Sequence, residues 1–92
     1  MPRVLVKLYT TLKMRLDKSQ LWVEGKTAGD ALRRVAETGG PEVERLLFDE
    51  MGVVKNHFLL ALDSEILDRN SVDQVELKDG NVLHIFPPIS GG

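Results

Sequence analysis

The sequence predicts an α+β domain in which helices cover one face of a mixed sheet, and three observations carry that prediction. Apolar residues alternate with polar ones at both ends of the chain, which is the pattern of half-buried strands. A capped amphipathic segment lies between them. The chain has 92 residues, enough for one core; a domain of this size buries roughly 60–65% of its unfolded surface and has no room for a deep, walled catalytic cavity.

The elements follow in order. In residues 3–9, Val4, Val6 and Leu8 share one face of an extended segment, and Leu5, Lys7 and Tyr9 the other. A polar stretch over residues 10–19 is expected to connect this strand to a second, residues 20–24, which alternates again before Gly25. That connection is too long for a tight two-residue hairpin turn. Thr27 can cap a helix whose first turn carries Asp30, an acid suited to the positive end of the helix dipole. Leu32, Val35 and Ala36 then face inward, with Arg33, Arg34 and Glu37 outward. Gly39-Gly40-Pro41 stops that helix. A second, shorter helix is expected over residues 42–51, with Val43, Leu46, Leu47 and Met51 inward and Gly52 as its end signal. Residues 57–62 form a compact apolar run that reads as a buried strand, Asp63-Ser64 as a turn, and Ile66-Leu67 as a short return strand. Asp79-Gly80 is a turn dipeptide, and residues 81–86 form the last strand. No repeat, low-complexity linker or internal domain boundary interrupts the chain. If the first and last strands are adjacent and parallel in the middle of the sheet, the fold is a β-grasp, the ubiquitin-like fold; the order of elements alone also fits other small α+β folds.

Composition excludes several function classes. Hydrophobic residues at 42% and charged residues at 28% suit a globular rather than a disordered chain. Twelve basic and fourteen acidic residues leave a net charge of −2, the wrong sign for a dedicated nucleic-acid binder. No apolar stretch is long enough to span a bilayer, and Met1-Pro2-Arg3 runs into the first strand without a signal-peptide h-region, so the expectation is a cytoplasmic protein with no membrane partner. There is no cysteine, hence no disulfide, thiolate metal site or cysteine nucleophile. The two histidines, His57 and His84, lack the spacing of a metal pair, and His84, alternating with Val82 and Phe86, reads as a side chain on one face of a sheet. Asp68 and Asp73 flank a turn and read as solvated or capping groups. Gly39-Gly40 is followed by no Lys-Ser/Thr, so it is not a phosphate loop. Arg33-Arg34 belongs to a helix face. Trp22 reads as packing on the sheet. No metal site and no bound cofactor are expected.

The end of the sequence differs. Residues 87–92 read Pro87-Pro88-Ile89-Ser90-Gly91-Gly92, an uncharged tail following a domain of residues 1–86. Two prolines cannot donate ladder hydrogen bonds and favour an extended path away from the sheet. Six residues reach at most about 20 Å. The final glycines carry no side chains, so a narrow channel could accept them and a partner's backbone could approach the terminal carboxylate. A frayed terminus is the alternative reading of the same residues.

The ending F-P-P-I-S-G-G, preceded by L-K-D-G-N-V-L-H-I, resembles the C-terminus of MoaD/ThiS-type sulfur carriers, and among them the small subunit of molybdopterin synthase. Arg45-Leu46-Leu47-Phe48-Asp49-Glu50 with Gly52 resembles the middle of the longer carriers, and residues 4–8 their first strand. The chain departs from the family at Leu62-Asp63-Ser64, where Val-Asn-Gly is usual, and at Asn81, where an acid commonly follows the Asp-Gly turn. The resemblance implies a carrier rather than an enzyme. Its Gly92 carboxylate would be adenylated by a ubiquitin-activating-type adenylyltransferase (MoeB/ThiF-like) that uses ATP and magnesium. A persulfide donor would convert it to a thiocarboxylate. Pro87, Pro88, Ile89, Ser90 and Gly91 would thread into a molybdopterin synthase large subunit (MoaE-like), delivering sulfur to a pterin precursor of the molybdenum or tungsten cofactor. Phe86 would dock on that subunit; read from the residues alone, it could equally cap the core. Related readings are a carrier for thiazole, cysteine or tRNA thiolation, a protein modifier joined to lysines through Gly92, and a plain ubiquitin-like interaction domain.

Overall fold

The computed structural model describes residues 1–56 and 58–87; His57 and residues 88–92 lie outside the described set. The chain runs through β1 (Arg3–Leu8), α1 (Thr10–Leu16), β2 (Gln20–Glu24), α2 (Ala28–Gly39), α3 (Pro41–Leu47), β3 (Leu59–Leu62), β4 (Glu65–Leu67), a 3-10 turn (Val72–Gln74) and β5 (Val82–Phe86). The five strands form one sheet in the order β2-β1-β5-β3-β4. β1 and β5 are its parallel central pair, with Val6 opposite Leu83 and Leu8 opposite Ile85, and the other neighbours are antiparallel. This is the β-grasp arrangement. A long crossover through α2 and α3 is what allows the two ends of the chain to lie side by side in parallel.

The alternation read from sequence sets which face is buried. Val4, Val6 and Leu8 of β1 and Leu83 and Ile85 of β5 are fully buried against Ala31, Leu32 and Val35 of α2. Leu12, Val43 and Leu47 close that layer from the flanking helices. α2 starts with a reciprocal cap: the Asp30 N–H donates to Thr27 Oγ1 at 3.2 Å, and the Thr27 and Lys26 N–H groups donate to Asp30 Oδ2 at 3.2 and 3.1 Å. Such caps are worth about 1 kcal/mol. The Arg33 guanidinium beside Asp30, helped by these N–H donors and opposed by partial burial, holds the carboxyl below its ordinary value of 3.8. Arg33 also donates to Asp73 Oδ1 at 2.7 Å, which keeps its own pKa raised and ties α2 to the 3-10 turn.

Three expectations need correction. The polar connection over residues 10–19 contains a helix, α1, which buries Leu12 and ends at Asp17 in the left-handed conformation (φ 55°). The second helix stops at Leu47 rather than at residue 51 because Phe48 turns extended and pairs with Val54. Both of these side chains are buried. The residues between them fold over the Asp49 carboxylate, which accepts the N–H groups of Met51 (2.8 Å) and Val53 (3.0 Å). Met51, expected inward, is therefore 86% exposed on that turn. Asp73 is exposed, as expected, with its carboxylate paired to Arg33, and Asp68 caps its turn by accepting the Asn70 N–H at 2.9 Å.

The two departures from the carrier pattern meet each other. The Asn81 side-chain amide donates to Asp63 Oδ2 at 2.7 Å, Asp63 Oδ1 accepts the Val82 N–H at 3.0 Å, and Asn81 Oδ1 accepts the Lys78 N–H at 2.6 Å. The turn after β3 is thereby pinned to the start of β5.

Candidate functional site

The residues of chemical interest converge on the open face of the sheet, opposite the helices, where β5 ends. Because β1 and β5 are parallel neighbours with Lys7 opposite His84, their outward residues stand in adjacent rows. Tyr9, just past β1, stacks on Phe86 with ring centres 4.9 Å apart and planes 19° from parallel. The His84 ring lies 5.4 Å from Phe86 at 1°. Tyr9 Oη and His84 Nδ1 share a hydrogen bond of 2.9 Å. On the other side of β5, Leu59 stands opposite Phe86 and Ala61 opposite His84, and Ile66 of β4 continues the Ala61 row. Leu59 and Ile66 are exposed. The result is an apolar, aromatic surface with Lys7 at its rim, from which Pro87 leaves the sheet.

Phe86 thus belongs to the open face and does not cap the core. A half-buried ring held by Tyr9 and His84 is a preorganised contact of the kind that anchors interfaces. Pro87, lacking an N–H, cannot extend the ladder. Pro88, Ile89, Ser90, Gly91 and Gly92 lie outside the described residues. The sequence singled out Phe86 but missed Tyr9, His84, Leu59 and Ala61 as its companions. Their signal was present in the outward positions of each strand, and it becomes visible only once the strands are placed in register. Trp22 also faces outward, half exposed, with the Arg3 guanidinium 4.8 Å from its ring centre.

Among the described residues no group of three His, Cys, Asp or Glu side chains could hold a metal ion, and no helix is long and apolar enough to cross a membrane. A depression of about 310 Å³ lies on the helical side, lined by Arg33, Ala36, Glu37, Glu44, Phe48 and Asp49, away from the tail's root.

Comparisons with known proteins agree with this geometry. The model of the ThiS family matches residues 5–92. An uncharacterized protein of Archaeoglobus fulgidus is 38% identical over 69 residues, 75% of this chain and 69% of that protein. Among solved structures, SAMP1 of Haloferax volcanii, a small archaeal modifier protein, superposes with a TM-score of 0.83 at 25% identity over 98% of this chain and 99% of that one. CysO in the BexX/CysO complex of Amycolatopsis orientalis gives 0.80 at 22% identity, covering 97% and 99%. The complex of subunits 1 and 2 of the Helicobacter pylori molybdopterin-converting factor gives 0.60 at 21%, covering 98% and 99%; at these last two identities the likeness shows the fold. With a family model spanning almost its whole length and the parallel β1–β5 pair in place, the chain belongs to the ThiS family of small β-grasp, ubiquitin-like sulfur carriers and protein modifiers.

Proposed function

We propose that this protein carries sulfur on Gly92, as the terminal residue of the mature chain, and delivers it to a pterin precursor as the small subunit of a molybdopterin synthase. The observation that carries the reading is the family match, which runs through the diglycine to Gly92. The Gly92 carboxylate attacks the α-phosphorus of ATP in a ubiquitin-activating-type enzyme, which supplies the nucleotide and magnesium sites; pyrophosphate leaves and a mixed anhydride with AMP forms. The terminal sulfur of a donor persulfide displaces AMP, and a second thiol cleaves the resulting acyl disulfide to leave the thiocarboxylate. This chain has no cysteine, so in this scheme the terminus is its only sulfur-bearing group besides methionine. Phe86, braced by Tyr9 and His84, docks first on the activating enzyme and then on the large subunit, and Pro87 to Gly91 carry the terminus into each site in turn.

A second reading is favoured by the SAMP1 likeness, which is closer than that to the molybdopterin-converting factor: Gly92 would be joined to lysines of target proteins after the same activation. Both readings require adenylation. Full-length protein incubated with a candidate activating enzyme, ATP and magnesium should support exchange of pyrophosphate into ATP, and a chain lacking Gly91 and Gly92 should not. Adding a candidate large subunit and pterin precursor then separates the two: dithiolene formation favours the carrier, and isopeptide-linked Gly92 in cell extracts favours the modifier. Exchange that survives removal of the diglycine would sink both.

A further inference from the structure

The two edges of the sheet are protected differently. β4 has three residues, and its surroundings carry like charges, Glu65 within the strand and Asp63 and Asp68 beside it. A short acidic edge repels a second copy of itself. β2 has five residues, Gln20-Leu21-Trp22-Val23-Glu24, with no proline or lysine within the strand, although Lys18 and Lys26 flank it. Its pairing with β1 is unbroken from Arg3↔Glu24 to Lys7↔Gln20, so no bulge twists it away.

The backbone groups on the free side of β2 can be assigned. The Leu8 N–H donates to the Ser19 carbonyl at 2.8 Å and the Gly25 N–H to the Pro2 carbonyl at 3.1 Å. Hydrogen-bonded pairs alternate along an antiparallel ladder. Between those two bonds, Leu21 and Val23 therefore face β1, while Gln20, Trp22 and Glu24 point their N–H and C=O groups outward. The other side of β1 agrees with this parity, since the Leu5 N–H donates to Asn81 on the β5 side at 3.0 Å. At the centre of the free edge stands Trp22, half exposed. A groove of about 290 Å³ runs beside it, lined by Trp22, Val23, Glu24, Arg34 and Thr38.

We propose that β2 pairs with β2 of a second copy of this chain, antiparallel about a two-fold axis through Trp22, joining two five-stranded sheets edge to edge. Of the registers available to three outward-facing residues, this one uses the whole strand. Trp22 stands opposite Trp22 of the second copy, and Gln20 stands opposite Glu24 on both sides of the axis. An amide facing a carboxylate is a complementary pair, and it occurs twice because the interface is isologous. The neighbouring α2 surface carries both signs, Arg34 and Glu37, which lie 3.6 Å apart in one chain and can exchange partners with a second copy across the same axis. β5 is separated from β2 by β1, so the dimer leaves Phe86 and Pro87 uncovered. One assembly would present two such surfaces.

Sedimentation equilibrium of the full chain from micromolar to millimolar concentration tests this. The expected result is a monomer–dimer equilibrium, with the emission of the single tryptophan shifting to the blue at the same midpoint as the change in mass. Trp22→Lys should raise the dimer dissociation constant by roughly tenfold or more. Glu24→Pro provides an independent test, because it removes an edge N–H that the β1 ladder does not use and so blocks pairing if Trp22→Lys fails to fold. Ile66→Lys on β4 should leave the dimer unchanged. A monomer at every concentration would overturn the proposal, as would a dimer indifferent to both β2 variants. A dimer abolished by Ile66→Lys or by Phe86→Ala would place the contact elsewhere and overturn it as well.

Discussion

The rings of Tyr9 and Phe86 lie 4.9 Å apart, so the first residue after β1 braces the last residue of β5, the one from which the tail departs. The parallel pairing of the two central strands brings them together. The brace has two parts, a stack worth about 0.5–1.5 kcal/mol beyond simple burial and the hydrogen bond between Tyr9 and His84. Phe86 precedes Gly92 by six residues in the sequence, so the effect of the brace on sulfur loading should come through docking.

Tyr9→Ala should therefore raise the KM for the activating enzyme several-fold in pyrophosphate exchange while leaving kcat nearly unchanged. Tyr9→Phe keeps the stack, loses a hydrogen bond worth about 0.5–1.5 kcal/mol, and should behave close to wild type in KM. An alanine variant with an unaltered KM, or a phenylalanine variant as impaired as alanine, would contradict a docking role for the stack.

Asp30 gives a pH signature. Its carboxyl is held below 3.8, chiefly by Arg33 and then by the N–H groups of Thr27 and Lys26. A depressed folded-state pKa contributes stability that is fully present above the unfolded value and is lost as pH falls through the folded one. Asp30→Ala should cost about 1 kcal/mol near neutral pH in urea denaturation, and the gap to wild type should narrow as the pH drops below 3.8. A gap that stays constant through that window would argue against the carboxylate as the source.

Gly39 closes α2 where α3 turns back. A Cβ built there would sit 2.6 Å from Val43 Cβ, and Val43 is buried. Gly39→Ala should destabilise the fold by about 1–3 kcal/mol through overpacking. Adding Val43→Ala should restore less than the full amount, because it opens space in the core while relieving the clash. A Gly39→Ala variant as stable as wild type, by calorimetry, would show that the helix corner yields.

Thr10 holds φ at 42°, a left-handed conformation that is strained for a β-branched residue. Strain of this kind costs about 1–3 kcal/mol, and asparagine tolerates the region better. Thr10→Asn should raise stability by about 0.5–1 kcal/mol, or a few degrees in Tm for a domain of this size. A lower Tm would mean that the threonine makes a contribution outweighing its strain.

Much of the fold was legible because its strands alternate cleanly and its main helix announces itself through Thr27 and Asp30. α1 was not, since its seven residues bury only Leu12 fully and begin with two threonines, which leaves no periodic signal to count. The end of α3 was obscured by Leu46-Leu47-Phe48, an apolar run that continues a helical pattern although Phe48 is already extended toward Val54. The recognition surface was half legible. Phe86 stood out beside the prolines, whereas Tyr9 and His84 lie 75 residues apart and meet only through β1–β5 register, a non-local fact that neither segment encodes alone.

The proposed sulfur sits on a single atom of the Gly92 carboxyl group, and intact-mass spectrometry of protein isolated from its own source, with a reagent that traps thiocarboxylates, would reveal it. The expected result is a fraction of molecules in which one oxygen has been replaced by sulfur, with the trapped adduct mapping to Gly92. Carboxylate at Gly92 in every pool, with neither sulfur nor an isopeptide bond to a lysine, would contradict it.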